Sequence, residues 1–175
     1  RRPARSLLIM AIPTLAVIIV NWNAGDQLRA CLQALAGARQ EGFHLAQVVV
    51  VDNASQDDSL ADLPADRLPL RVIRNPDNRG FGGACNQGAA ETRADYLLFL
   101  NPDTRIEADA LDRAVAHLES PAGATAGVCG ARLLGDQGQL PAARMQGHPA
   151  DVHAVDAERA LGDIVKPGDQ VGQGG

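Results

Sequence analysis

Positive charge is in short supply in this sequence, where 16 Lys and Arg face 21 Asp and Glu for a net charge of −5. That balance argues against duplex nucleic acid as the main partner, because such binders carry a basic face. It leaves a nucleotide open, since backbone N–H groups and a metal ion can hold its phosphates. Cysteine is scarce as well. Cys31, Cys85 and Cys129 are scattered, odd in number and without metal-ligand spacing. They read as small buried thiols in a reducing, cytoplasmic compartment rather than a disulfide framework. No internal repeat and no dinucleotide fingerprint G-x-G-x-x-G occurs.

Long apolar runs are missing too. Arg1, Arg2 and Arg5 precede an apolar stretch over residues 7–20, a superficial match to a secretory leader. No small-residue cleavage site follows it. Pro13 breaks it, and it is too short to cross a bilayer. Residues 15–20 read instead as a buried strand. Met10 looks like a natural opening, so residues 1–9 are expected to be an upstream extension.

What is present is an ordinary globular composition, 46% apolar and 21% charged. Apolar runs at residues 15–20, 47–51, 70–73, 96–100 and 127–131 read as strands. Helical signals fill the intervals at residues 25–38, 57–63, 80–93 and 107–118. In the first of these Leu28, Cys31, Leu32 and Leu35 share a face; in the last Ala108, Leu111, Val115 and Leu118 do. Near-continuous apolar strands alternating with helices imply an α/β fold, a mostly parallel sheet flanked by helices. Right-handed crossovers then bring the strands' C-terminal ends to one edge. Residues 10–140 form this domain. Residues 141–175 change character, with a short helix expected over 151–161, His148 and His153 nearby, and disorder after Pro167.

That edge collects polar motifs, which is where open α/β sheets bind ligands. Asn21-Trp22-Asn23 follows the first strand and Asp52-Asn53-Ala54-Ser55 the second. Asp52 can accept hydrogen bonds from a base or ribose while Ser55 caps the next helix; an Asx turn explains the same residues. Asn78-Arg79-Gly80-Phe81-Gly82-Gly83 opens a helix whose N–H groups can approach a diphosphate, with Arg79 adding charge; close helix–strand packing also selects such glycines. Asn101-Pro102-Asp103 ends the fourth strand. Asp103 can hold a hard divalent ion with Asn101 beside it, or can cap the helix from Glu107. Trp22 lines a base pocket or packs on the first helix. His44 and His117 read as surface residues.

Together, Asn21-Trp22-Asn23, Asp52-Asn53-Ala54-Ser55, the Asn78 to Asn86 segment and Asn101-Pro102-Asp103 resemble glycosyltransferase family 2, in its rhamnosyltransferase-like branch. The resemblance covers residues 10–140. It implies a GT-A (Rossmann-like) fold, a nucleotide-diphosphate sugar donor such as dTDP-rhamnose, and Mg or Mn. It places Asn21, Trp22, Asn23, Asp52, Asn53, Arg79, Gly80 and Asn101 at the nucleotide sugar and Asp103 on the metal. The usual Asp-x-Asp stands here as Asn101-Pro102-Asp103, with one carboxylate rather than two. The implied reaction inverts the anomeric carbon by direct displacement. A glycan or lipid-linked acceptor of the cell envelope is implied, with peripheral association at the inner face of a membrane. The acidic acceptor-side motif that supplies the base has no counterpart. Asp151, Asp156, Glu158, Asp163 and Asp169 lie in other contexts, so the fold is expected to be truncated on the acceptor side. The alternative is a catalytically incomplete nucleotide-sugar-binding fragment. A nucleotidyltransferase would need a basic Gly-rich loop after the first strand, where Ala24-Gly25-Asp26 stands.

Overall fold

The computed structural model describes residues 12–123, 125–130 and 163–165. In chain order the elements are β1 (Thr14–Asn21), α1 (Asp26–Ala36), β2 (His44–Asp52), β3 (Leu70–Arg74), α2 (Phe81–Ala89), β4 (Tyr96–Phe99), α3 (Ala110–Glu119), β5 (Val128–Gly130) and β6 (Asp163–Val165). They build a six-stranded sheet in the order β3-β2-β1-β4-β6-β5. Pairs β1–β2, β1–β4 and β2–β3 are parallel, whereas β6 runs antiparallel to β4 and β5.

Strand β1 explains why the sheet must be covered on both sides. Its alternate residues Leu15, Val17 and Ile19 join one apolar cluster with Leu28, Cys31, Leu32 and Leu35 of α1 and Leu111, Val115 and Leu118 of α3. Ala16, Ile18 and Val20 point the other way, to Ala84 and Cys85 of α2. The period of two along the strand thus feeds two separate cores. His44 and His117 are exposed, and none of the three cysteines forms a disulfide.

The helix expected over residues 57–63 does not form. The segment is a run of turns. The Asp57 carboxylate accepts N–H bonds from Ser59 at 3.2 Å and Gly25 at 2.9 Å, local bonds that compete with helical ones. Asp62 adopts φ 51°, which no helix accommodates, and Pro64 follows. Ser55 therefore caps no helix. Asp103 caps none either, because α3 begins only at Ala110 and has no side-chain cap.

The C-terminal stretch set apart in sequence contributes β6, which sits inside the sheet between β4 and β5 with Ile164 buried in the α1/α3 core. Ala131, His148, His153, the helix expected over 151–161 and residues 167–175 lie outside the described residues.

Helix α2 lies close to the sheet because Gly88 permits it. A Cβ there would stand 2.6 Å from Ile18 Cγ2 and 3.1 Å from Val51 Cγ2. Gly88→Ala should therefore destabilise the fold by about 1–3 kcal/mol, read as a fall in thermal midpoint. At Gly83 a Cβ would meet only Arg79 Cβ at 3.6 Å. Gly83→Ala should leave the midpoint unchanged or raise it, since alanine favours the helix.

Candidate functional site

The strand order reverses at β1, whose partners β2 and β4 connect to opposite faces of the sheet. Beyond this switch point lies a cleft of about 310 Å³. It is lined by Val20, Trp22, Asn23, Ala24 and Gln27 from the β1–α1 corner and Asn53 from the end of β2. Asn78 and Phe81 from the start of α2 and Asn101, Pro102 and Asp103 after β4 complete it. Motifs distant in sequence meet here because parallel strands end on one edge. Trp22 is 60% exposed and borders the cleft beside Gln27 of α1.

Two carboxamides hold the floor. Asn21, with no exposed surface, directs Nδ2 to Asp52 Oδ1 at 2.8 Å, Ser55 Oγ at 3.0 Å and Ser59 Oγ at 2.8 Å. Its Oδ1 has no partner among the described residues. Ser55 Oγ also accepts the N–H of Asn23 at 2.9 Å, and Asn23 Oδ1 accepts that of Gln56 at 2.8 Å. Asp52 is 5% exposed, and neither it nor Asn21 lines the cleft. Asn53, 2% exposed, reaches the other way. Its Nδ2 donates to Asn78 Oδ1 at 2.7 Å and to Gly80 O at 3.3 Å. Its Oδ1 accepts the Arg79 N–H at 3.0 Å and Asn75 Nδ2 at 3.3 Å. Asn75 and Gln87 of α2 exchange a reciprocal amide pair, both bonds 2.9 Å. The backbone carries strain at the same place: Asn23 and Ala54 hold φ 52° and 67°. For alanine that conformation costs on the order of 1–2 kcal/mol.

Charge is distributed thinly. Asp103 is the single carboxylate among the described residues lining the cleft, and no Lys or Arg lines it. Arg79 is exposed in the turn before α2. Gly80, the N-cap of α2, has φ 74° and no side chain caps the helix. The N–H groups of its first turn thus remain without helical acceptors, the positive end of the helix dipole. Beneath Asp103, the buried Cys31 thiol donates to Asn101 O at 3.6 Å. Burial, then the Asp103 charge, pushes that thiol up to about 12. Asp57 is held below the usual carboxylate range, chiefly by the Ser59 hydroxyl. No group of three or more His, Cys, Asp or Glu is placed to hold a metal among the described residues. Asp103 with neighbouring amide oxygens matches a hard divalent ion that draws its other ligands from water and phosphate.

The structure thus brings Trp22, Asn23, Asn53, Asn101 and Asp103 around one cleft, with Asn21 and Asp52 below it and Arg79 and Gly80 in the turn before α2. The expected site did not include Gln27, Asn78 and Phe81. Asn78 and Phe81 belong to the Gly-rich segment and could have been found there. Gln27 carries no sequence signal beyond following Asp26.

Comparison with known proteins bears on the cleft. The family model described as glycosyl transferase family 2 matches residues 16–163. A succinoglycan biosynthesis protein of Rhizobium meliloti (strain 1021) is 34% identical over 111 residues, 62% of this chain and 31% of its own length. An uncharacterized glycosyltransferase of Haemophilus influenzae is 30% identical over 89 residues, 51% of this chain and 29% of its own. The S. aureus TarS 1–349 structure in complex with UDP-GlcNAc superimposes with TM-score 0.54 at 26% identity, covering 61% of this chain and 31% of that one. A mannosyltransferase from Pyrobaculum calidifontis, solved with GDP-Man and Mn2+, shares the fold at TM-score 0.57 and 22% identity, over 66% of this chain and 34% of that one. The chain spans about a third of the length of these relatives. Among the described residues, no helix is long and apolar enough to cross a membrane.

The buried thiols set an alkaline limit. Cys31 and Cys85, pushed up by burial to about 12 and about 11, are protonated in the fold where an exposed thiol would ionise. Their contribution to stability is complete below about pH 9 and is lost as pH climbs through the folded values. Denaturant midpoints should hold up to about pH 8.5 and fall progressively above it. Thiolate absorbance from Cys31 and Cys85, read in a Cys129→Ser background, should appear only with unfolding at pH values below about 11.

Proposed function

This chain belongs to glycosyl transferase family 2, and on that premise we propose that its cleft binds a nucleotide-diphosphate sugar for transfer to a glycan or lipid-linked acceptor of the cell envelope. The observation that carries the reading is the meeting of Trp22, Asn53, Asn78, Asn101 and Asp103, from separate strand ends, around one cleft at the switch point. Trp22 offers its indole face to the base. The amides of Asn23 and Asn101 offer donors and acceptors to base and ribose, while Asn53, its amide bonded to Asn75, Asn78, Arg79 and Gly80, shapes the wall. Asn21 and Asp52 act from below, holding Ser55 and through it Asn23. Arg79 and the open N–H groups behind Gly80 meet the diphosphate, where positive potential is otherwise absent from the cleft wall.

Asp103, with Asn101 beside it, would hold a divalent ion, Mg or Mn. Such an ion offsets the charge that develops on the leaving diphosphate. Direct displacement inverts the anomeric carbon, with a carboxylate taking the acceptor proton. That base is not among the described residues lining the cleft, where Asp103 is the single carboxylate and would be taken up by the ion. This favours a second reading for the chain taken alone, a donor-binding portion that does not complete transfer. The preferred donor is dTDP-rhamnose, and the site of action is the cytoplasmic face of a membrane.

Calorimetric titration should show a nucleoside diphosphate binding only with Mg or Mn present. Asp103→Ala should weaken binding roughly 10-fold or more and remove the metal dependence, while Asp66→Ala on the exposed β2–β3 connection changes neither. Equal affinity with and without Asp103 would refute the metal assignment. Trp22 is the only tryptophan, so its emission should change on saturation with nucleotide. An unchanged spectrum at saturation would place the base elsewhere. Competition among dTDP-rhamnose, UDP-GlcNAc and GDP-mannose ranks the donors, and robust sugar transfer by this chain alone would defeat the second reading.

A further inference from the structure

Arg79, Gly80 and the first turn of α2 can serve a ligand only if the exposed turn before the helix is held in place. Nothing within the turn holds it except Asn78, whose Oδ1 accepts the Gly80 N–H at 2.9 Å. Gly80 at φ 74° has no neighbour within 4 Å of a would-be Cβ, so packing does not restrain it. The restraint comes from below. Asn53 spends its donors on Asn78 Oδ1 and Gly80 O and its acceptor oxygen on the Arg79 N–H and Asn75 Nδ2. Asn75 is in turn clamped to Gln87 on α2. The backbone N–H of Asn53 extends the sheet by bonding Asn21 O at 2.8 Å. Asn53 is therefore anchored to the sheet on one side and grips the exposed edge of the cleft on the other.

We propose that Asn53 is a positioning residue that sets the turn over residues 78–80, and with it the open N-terminus of α2, in register with the cleft. Nucleotide binding depends on it through that turn more than through any contact of its own. This rests on the reading of the cleft as a nucleotide-diphosphate site. Only a carboxamide serves, because the grip needs donors and acceptors on one short planar group. An aspartate has the right shape and keeps the acceptors, but as a carboxylate it turns both donor bonds into repulsions against Asn78 Oδ1 and Gly80 O. Protonated, it regains one donor. Of the ionisable residues, Asp52 adjoins it on the same strand end, Arg79 bonds it through its backbone N–H, Asp77 precedes Asn78 in the chain and Asp103 lines the same cleft.

Two measurements on the whole chain test this. The first needs no ligand: hydrogen exchange at the Arg79 amide should accelerate at least roughly 10-fold in Asn53→Asp and in Asn53→Ser, with the β1 and β2 amides still protected. The second is affinity for a nucleoside diphosphate with Mg. At neutral pH Asn53→Asp should bind roughly 10- to 100-fold more weakly than the wild type. The ratio of the two affinities should close as pH falls through the introduced carboxyl's pKa, a dependence that a purely structural defect would not show. Leu118→Ala, buried in α3 far from the turn, serves as the control: it should lower the thermal midpoint and leave affinity intact. If Asn53→Asp fails to fold, Asn53→Ser carries both measurements, with loss of affinity expected alongside faster exchange. Unchanged Arg79 exchange, or wild-type affinity despite faster exchange, overturns the positioning role alone. Failure of the wild type to bind any nucleoside diphosphate overturns the reading of the site, and this inference with it.

Discussion

The architecture depends on what happens where parallel strands stop. Each strand end leaves backbone donors and acceptors that the ladder no longer pairs, and here they must stay ordered beside an open cleft. The N–H groups of Asn53 and Asn75 pair the carbonyls of Asn21 and Asp52, and carboxamide side chains fix the loops beyond. Asn21 gathers Asp52, Ser55 and Ser59 beneath the β1 and β2 ends. Asn53 carries the connection outward to the turn before α2. Asn53 is both donor and acceptor in a fixed plane and Asn21 donates, so the loops are set at defined distances without burying a charge pair, whose desolvation would be costly.

That economy of charge shapes the chemistry. The cleft wall is made of amides, two aromatic rings, one carboxylate and the apolar Val20, Ala24 and Pro102. A diphosphate there would meet little fixed positive charge apart from the open end of α2, with Arg79 nearby. An ion proposed at Asp103 would be the natural complement, because a carboxylate repels a nearby phosphate unless a cation screens the two. Cys31 adds a neutral support: its thiol stays protonated under the Asn101 carbonyl, so no second negative charge accumulates beneath Asp103.

Much of this was legible in the residues. The strands at residues 15–20 and 47–51 match the buried parts of β1 and β2 because their apolar runs are buried on both faces. Residues 70–73 match β3, a largely exposed edge strand marked by the β-branched Val72 and Ile73. The faces of α1 and α3 were legible from a period near that of the helix, except that Ala108, expected on the α3 face, is exposed and precedes the helix, which starts only at Ala110. Residues 57–63 were misread as helix because Leu60 and Leu63 mimic that period while Asp57 and Asp62 bind locally or take left-handed backbone. Strand β6 was not legible at all: Asp163, Ile164 and Val165 are too short a pattern to announce a place inside a sheet, and only pairing with β4 and β5 gives them one.

By itself the sequence determined the alternation of strands and helices, the edge on which Trp22, Asp52, Gly80 and Asp103 must gather, and the family to which they belong. These follow from local periodicity and from the handedness of crossovers, which act along the chain. The tertiary structure alone decided which of those polar residues face the cleft and which lie under it. Asn21, Trp22 and Asn23 are adjacent in sequence, yet Asn21 is sealed in the sheet while Trp22 and Asn23 border open space. The division depends on hydrogen-bond partners tens of residues away, Ser55 and Ser59 for Asn21, Asn78 and Arg79 for Asn53. No spacing within a single motif encodes it, because such bonds exist only once the strands have paired.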